Sequence, residues 1–241
     1  MKNFELISFT TADELARVVA GQWLDEIESA NRAGKWHCVA LSGGRIAQKF
    51  FAAAVEQAKA RAVLFGSVHF FWADERCVPP DDKESNFRLA NGLLFTPLQI
   101  SENQIHRIHG ELPPAAAAAQ AAAAISTIAP LNQSGQPVLD LIFLGMGEDG
   151  HVASLFPGEP EEVISSTVVY RAVKNSPKPP PNRITLGYAP IVAARQVWVL
   201  VSGAGKEAAL RNSLCANGRT PLARVTQFRT QTRIFSDFQL V

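Results

Sequence analysis

Asp149 and His151 stand two residues apart in GMGEDGH, directly after the apolar run from Val138 to Leu144. An imidazole with an ordinary pKa near 6.5 can take a proton and give it back close to neutrality, so His151 suits general-base work. Gly145, Gly147 and Gly150 allow the turn that would aim the side chains, and their N–H groups could meet a developing oxyanion. Three more polar stretches have chemical promise. Ser42-Gly43-Gly44 precedes a helical pattern and offers bare peptide N–H groups at the positive end of a helix dipole, which suits a phosphate, although a tight turn needs glycine for its own reasons. Asp74-Glu75-Arg76 brings a guanidinium able to grip a phosphate at two points, or to pair with neighbouring carboxylates. Lys206, in Gly203-Ala-Gly-Lys206, falls in the first turn of an expected helix, where a cation opposes the dipole unless it faces an anion.

The remaining histidines and cysteines offer less. His37 and His69 lie inside apolar patterns and read as structural, and His106 and His109 could face one side of a turn. No H-E-x-x-H or Cys/His cluster accompanies them, so no metal is expected. The dinucleotide fingerprint G-x-G-x-x-G and the P-loop are absent, so no nucleotide cofactor is expected, and Ser154 and Ser202 lack the G-x-S-x-G context of an esterase. Cys38, Cys77 and Cys215 are odd in number and far apart, which fits reduced thiols that fill space in the core.

The elements that must hold these groups follow from periodicity. Thr11-Ala-Asp-Glu14 has the form of a capping box, and Leu15, Val18, Val19 and Trp23 continue it as an amphipathic helix to about Ala30. Short apolar runs mark strands at Trp36–Leu41, Val68–Ala73, Val138–Leu144, Thr167–Val173 and Gln196–Ser202, with helices expected from about Ile46 to Ala60, from Asn86 to Leu94 and around Lys206. Ala115–Ala124 reads as a plain surface helix with little to bury, and Lys174–Arg183, rich in proline, as an irregular loop. Strands alternating with helices imply a doubly wound, mostly parallel α/β sheet with helices on both faces, Rossmann-like, in a single domain spanning residues 1–241. Four of the runs end in the polar stretches above. In an open parallel sheet the carboxyl ends of the strands share one edge, so four distant segments are expected to meet in one cleft.

The totals restrict partners. With 23 basic and 22 acidic residues the net charge is +1, so no general field draws nucleic acid or an anionic membrane. The opening MKNFELISFTTADEL has no long apolar stretch and turns acidic at Asp13, unlike a secretory signal, and a cytoplasmic protein is expected, a monomer or weak homo-oligomer.

Taken together, LSGG (41–44), WADERCVPPDDKESN (72–86), LGMGEDGHVASLFPG (144–158), RITL (183–186) and GAGKEAAL (203–210) resemble the glucosamine-6-phosphate isomerase/6-phosphogluconolactonase family, in its order and over most of the chain. The resemblance implies an enzyme without metal or organic cofactor. It implies hydrolysis of a small phosphorylated sugar lactone, 6-phospho-D-glucono-1,5-lactone, to 6-phosphogluconate in the pentose phosphate pathway. It makes His151 the base and Asp149 its neighbour, with Ser42, Gly43, Gly44, Arg76, Gly147, Arg183 and Lys206 on the substrate and phosphate side. Asp149 is left to orient His151 or to touch a sugar hydroxyl. Where the family continues SGG with a hydroxyl residue and proline, this chain has Arg45-Ile46-Ala47, so Arg45 either replaces hydroxyl contacts to phosphate or points to solvent. Two rivals stand beside the hydrolase. A glucosamine-6-phosphate deaminase/isomerase needs a further acidic or amide residue soon after the histidine, and Val152–Phe156 has none. A non-catalytic sugar-phosphate sensor fused to a regulator needs a DNA-binding module, and the first 35 residues read as one amphipathic helix without a basic recognition helix.

Overall fold

The computed structural model describes residues 3–240. A strand absent from the expectations, β1 (Phe4–Ser8), precedes α1 (Ala12–Arg32). The Thr11 hydroxyl caps α1 by accepting the Glu14 N–H at 3.1 Å, but the Glu14 carboxylate reaches back to the N–H and hydroxyl of Thr10, one residue before the reciprocal partner a capping box requires. There follow β2 (His37–Leu41), α2 (Arg45–Arg61), β3 (Val68–Trp72), β4 (Asp74–Arg76), α3 (Asn86–Ala90), which continues as a wider π turn over Asn91–Phe95, and α4 (Thr96–Leu98). The second half runs α5 (Pro114–Ile128), β5 (Leu141–Gly145), α6 (Glu161–Ile164), β6 (Tyr170–Val173), β7 (Arg183–Leu186), α7 (Tyr188–Ala193), β8 (Gln196–Val201), α8 (Glu207–Leu214), α9 (Pro221–Phe228) and β9 (Thr232–Ser236).

Six strands form a sheet in the order β1-β9-β8-β5-β2-β3, with every neighbouring pair parallel. This is the α/β architecture expected. The order turns outward in opposite directions from β2 and β5, so the loops leaving those two strands part at the sheet edge and leave a crevice between them, which is where such sheets bind ligands. At the opposite end of the strands β5 is aligned by Asp140, whose carboxylate takes the Cys38 N–H of β2 at 2.9 Å and pairs with Arg195 at 3.2 Å. Beneath the crevice the core is aromatic: the Trp23 ring of α1 lies 5.5 Å from Phe50 and 5.6 Å from Phe143, and Trp198 continues the stack at 5.7 Å from Phe143.

Three expectations are corrected. The polar stretch Asp74–Arg76, read only as the end of the apolar run before it, is itself a strand, β4, which joins β7 and β6 in a second, antiparallel sheet of order β4-β7-β6. Arg183 opens β7 rather than ending the proline-rich loop, and it pairs in register with Arg76. The alanine-rich helix α5 is half buried: Ala117, Ala118, Ala121 and Ile125 lie against the small sheet, where a methyl group lets the backbones approach closely. Cys38 fills core space as expected and Cys77 is half buried, but Cys215 is exposed.

Three histidines serve the fold. His37 is buried and accepts the Trp23 indole N–H at 3.3 Å, while His69 and His106 share a ring–ring hydrogen bond of 3.0 Å. Burial pushes all three below the ordinary imidazole value, His106 to about 4. The unfolded chain therefore binds protons at pH values where the folded chain does not, and stability present above about pH 6.5 is lost as pH falls toward 4. Thermal unfolding followed by circular dichroism is expected to show a midpoint that drops across this window, with the drop reduced in His106→Phe.

Candidate active site

The loop after β5 is pinned rather than loose. Met146 and Val152 form a bridge, the Gly147 N–H donates to His151 O at 2.9 Å, the Gly150 N–H donates to Gly147 O at 3.0 Å, and Leu222 N–H of α9 donates to Gly150 O at 3.1 Å. Gly150 takes φ 80°, a conformation that glycine adopts without strain. This tight turn delivers His151 against Asp149: Asp149 Oδ1 accepts the His151 ring Nδ1–H at 2.5 Å and the His151 backbone N–H at 3.1 Å. Burial alone would raise Asp149, but the hydrogen bonds from His151 outweigh it and hold the carboxyl below its usual range. An ionised carboxylate only accepts, so Nδ1 carries the proton and Nε2 keeps its lone pair. Burial pushes His151 below the ordinary imidazole value despite the opposing bond to Asp149, so the ring is neutral at pH 7. Phe156 packs on it, ring centroids 4.9 Å apart, and also carries the Arg183 guanidinium on its ring at 5.6 Å.

A cavity of about 140 Å³ opens at the crevice and brings together Ser42, Gly43, Gly44, Arg76, Gly147, His151, Arg183 and Lys206. Asp149 stands behind His151 and does not line it. Gly147 and Gly43 are required by space rather than by donors. A Cβ on Gly147 would lie 2.0 Å from His151 Nδ1, and one on Gly43 would lie 1.9 Å from Asn86 Oδ1. The expectation that glycine N–H groups of this turn meet an oxyanion is corrected at Gly147 and Gly150. The Gly147 and Gly150 N–H groups are spent inside the turn, and the Ser42 hydroxyl donates to Phe143 O at 2.8 Å, tying the β2 loop to β5.

Buried polar side chains hold the cations in place. Asp74, 5% exposed, accepts the Ser154 hydroxyl at 2.7 Å, and Asn86 donates to Asp74 O at 2.9 Å. Ser154, fully buried, thus braces Asp74. Arg183, 4% exposed, donates to the carbonyls of Lys178, Pro179 and Pro180 at 2.9 to 3.1 Å, which turns the proline-rich loop into a clamp on the guanidinium. Burial lowers its pKa without bringing it near neutrality, as a guanidinium stays charged in proteins. Glu75 is used inside the fold: it accepts N–H groups of Arg76, Asn86 and Phe87 at 2.7 to 2.8 Å and so fixes both Arg76 and the start of α3. Arg76 donates to Glu84 O through Nη1, while its Nε has no partner. Lys206 occupies the N-cap position of α8, its ammonium making no hydrogen bond or ion pair among the described residues, and burial followed by the nearby Arg45 guanidinium lowers its pKa. Asn86 and Phe156 lie inside the stretches quoted above without a signal that marks them, and the bracing of Asp74 by Ser154 and Asn86 is visible only in the fold.

The fold and cavity define a class: a parallel α/β protein whose switch-point crevice sets a buried, neutral imidazole–carboxylate pair among cations suited to an anionic ligand. Residues 10–234 match the model of the glucosamine-6-phosphate isomerases/6-phosphogluconolactonase family, and the chain belongs to that family. It is 44% identical over 156 residues to the 6-phosphogluconolactonase of Mycobacterium tuberculosis, a match taking in 62% of each chain and so less than two thirds of that relative. It is 32% identical over 220 residues to the 6-phosphogluconolactonase of Streptomyces coelicolor, covering 89% of this chain and 84% of the relative. The solved structure of 6-phosphogluconolactonase from Trypanosoma brucei superposes with a TM-score of 0.84 at 27% identity over 98% of this chain and 97% of the other. No helix among the described residues is long and apolar enough to cross a membrane.

Proposed function

We propose that this chain hydrolyses 6-phospho-D-glucono-1,5-lactone to 6-phosphogluconate. The observation that carries the proposal is the placing of a neutral His151, backed by Asp149, in one cavity with Arg76, Arg183 and Lys206. Family membership and the names of the relatives support the same substrate. In the reaction Nε2 of His151 takes a proton from water as the oxygen attacks C1 of the lactone. The tetrahedral adduct then expels the ring oxygen, which receives that proton back from the imidazolium, leaving the acid. Asp149 holds the ring and stabilises its charged form, and does not itself carry the proton. The cations bind the phosphate, with Arg183 and Arg76 presented side by side by the β4–β7 pairing. A deaminase/isomerase gains no support from the site, since Val152–Phe156 supplies no acidic or amide side chain after His151.

A pH-stat assay on freshly prepared lactone, corrected for spontaneous opening, is expected to show saturable acid release, with no ammonia released from glucosamine 6-phosphate. Ammonia release without lactone turnover would overturn the proposal.

A further inference from the structure

Arg45 occupies a position where its charge has no structural use. It is the first residue of α2, a helix of 17 residues whose N-terminus has no side-chain cap. Cations are unfavourable there because they face the positive end of the dipole. Across the crevice Lys206 stands at the N-terminus of α8 with the same mismatch. The two are close: Nη2 of Arg45 lies 3.7 Å from the point a Cβ on Gly203 would occupy, three residues before Lys206, and Arg45 is the strongest charged influence on the lysine. Neither makes an ion pair with a carboxylate among the described residues: of the acids around the loop, Asp237 is held by the Ser202 hydroxyl at 2.6 Å and the Gly203 N–H, Glu207 takes the Gly205 N–H at 3.1 Å, and Glu148 lies against Gly205, its carboxyl carbon 4.0 Å from the point a Cβ there would occupy. Both residues line the same cavity as Gly44, the N-cap of α2, which takes φ 101°. Two helix N-termini and two unpaired cations thus converge on one space. Like charges held together in this way raise the energy of the empty site and are relieved by a dianion.

We infer that Arg45 is a phosphate ligand, closing on the anion from the rim opposite Lys206 and setting the preference for a phosphorylated over an unphosphorylated sugar lactone. It takes over the anion-holding task that a hydroxyl side chain would perform with a neutral donor. Because Arg45 is exposed while Lys206 is half-buried, the guanidinium can swing over a ligand that Lys206 already holds.

The inference rests on the proposed lactonase activity for its substrate, and inorganic phosphate gives it a test that does not. Arg45→Met keeps the apolar stem and removes the charge. It is expected to raise KM for the phosphorylated lactone by about 10- to 100-fold with kcat changed less than about threefold, the loss that follows from deleting a charge-assisted bond. Inorganic phosphate, followed by calorimetric titration, is expected to weaken in step, and Arg45→Lys to recover part of both losses. The thermal midpoint without ligand is expected to hold or rise, since a repulsion has been removed, which a merely structural role would not produce. Equal phosphate affinity in wild type and Arg45→Met would overturn the inference even if the lactone is turned over. If wild type fails to turn over the lactone, the functional proposal falls, and a weaker phosphate affinity in Arg45→Met still upholds the anion site.

Discussion

His151→Gln is expected to lower kcat for 6-phospho-D-glucono-1,5-lactone by about 10²- to 10⁴-fold, the range of general-base assistance, while KM stays within about threefold. Glutamine keeps the volume of the ring and can accept the position against Phe156, so the cavity and its cations are preserved, but it cannot take a proton from water. The loss therefore falls on the chemical step and not on binding. The pH profile of the wild-type enzyme gives the same assignment a second readout. Burial holds the His151 pKa below its ordinary value, and catalysis needs the neutral ring. kcat/KM is then flat around neutrality and falls as pH drops through a value below 6.5, and this acid limb is absent from the residual rate of His151→Gln. Steady-state kinetics from pH 4.5 to 8 check both. Equal kcat in the variant would remove His151 from the mechanism.

Gly147→Ala is expected to cost about 10²-fold in kcat through a single methyl group that touches no substrate. The added Cβ would lie 2.0 Å from Nδ1 of His151 and 2.7 Å from Asp149 Oδ1, far inside contact distance, so the ring, the carboxylate or the turn must shift. A displacement of about 1 Å in a catalytic group is enough for a loss of this size. Because Gly147 φ is not in the left-handed region, the backbone tolerates alanine, and the effect falls on the pair and not on folding. Circular dichroism and thermal midpoints close to wild type, together with low kcat, are the expected combination. A fully active Gly147→Ala would mean that the His151–Asp149 geometry is not what turnover needs.

These effects show which parts of the site could be read from sequence. The polar ends of β2, β5 and β8 were legible because each apolar run is buried between parallel neighbours, and a buried run must stop where the chain reaches solvent. Lys206 was legible because its charge opposes its helix, and the same argument applies to Arg45, whose direction depends on the loop after β8 and so needed coordinates. The β4–β7 pairing was not legible. Asp74–Arg76 is polar and three residues long, and its partner lies over a hundred residues away, so neither period nor length marks it as a strand. β1 and β9 escaped for a related reason: β1 is a half-buried edge strand, and its partner is at the other end of the chain. Donor assignment failed at Gly147 and Gly150 because a glycine type says that an N–H is accessible, whereas only the fold says whether another backbone atom already uses it.

The most direct measurement of the central claim is a titration of 6-phosphogluconate into protein labelled with ¹⁵N-histidine, followed by the ring resonances of the five histidines. The His151 pair, assigned by its loss in His151→Gln, is expected to shift saturably with the dissociation constant measured by calorimetry, while His37, His69 and His106 stay still. Saturable binding of 6-phosphogluconate with an unmoved His151 ring would contradict the account, because it would place the anion site and the imidazole in separate places.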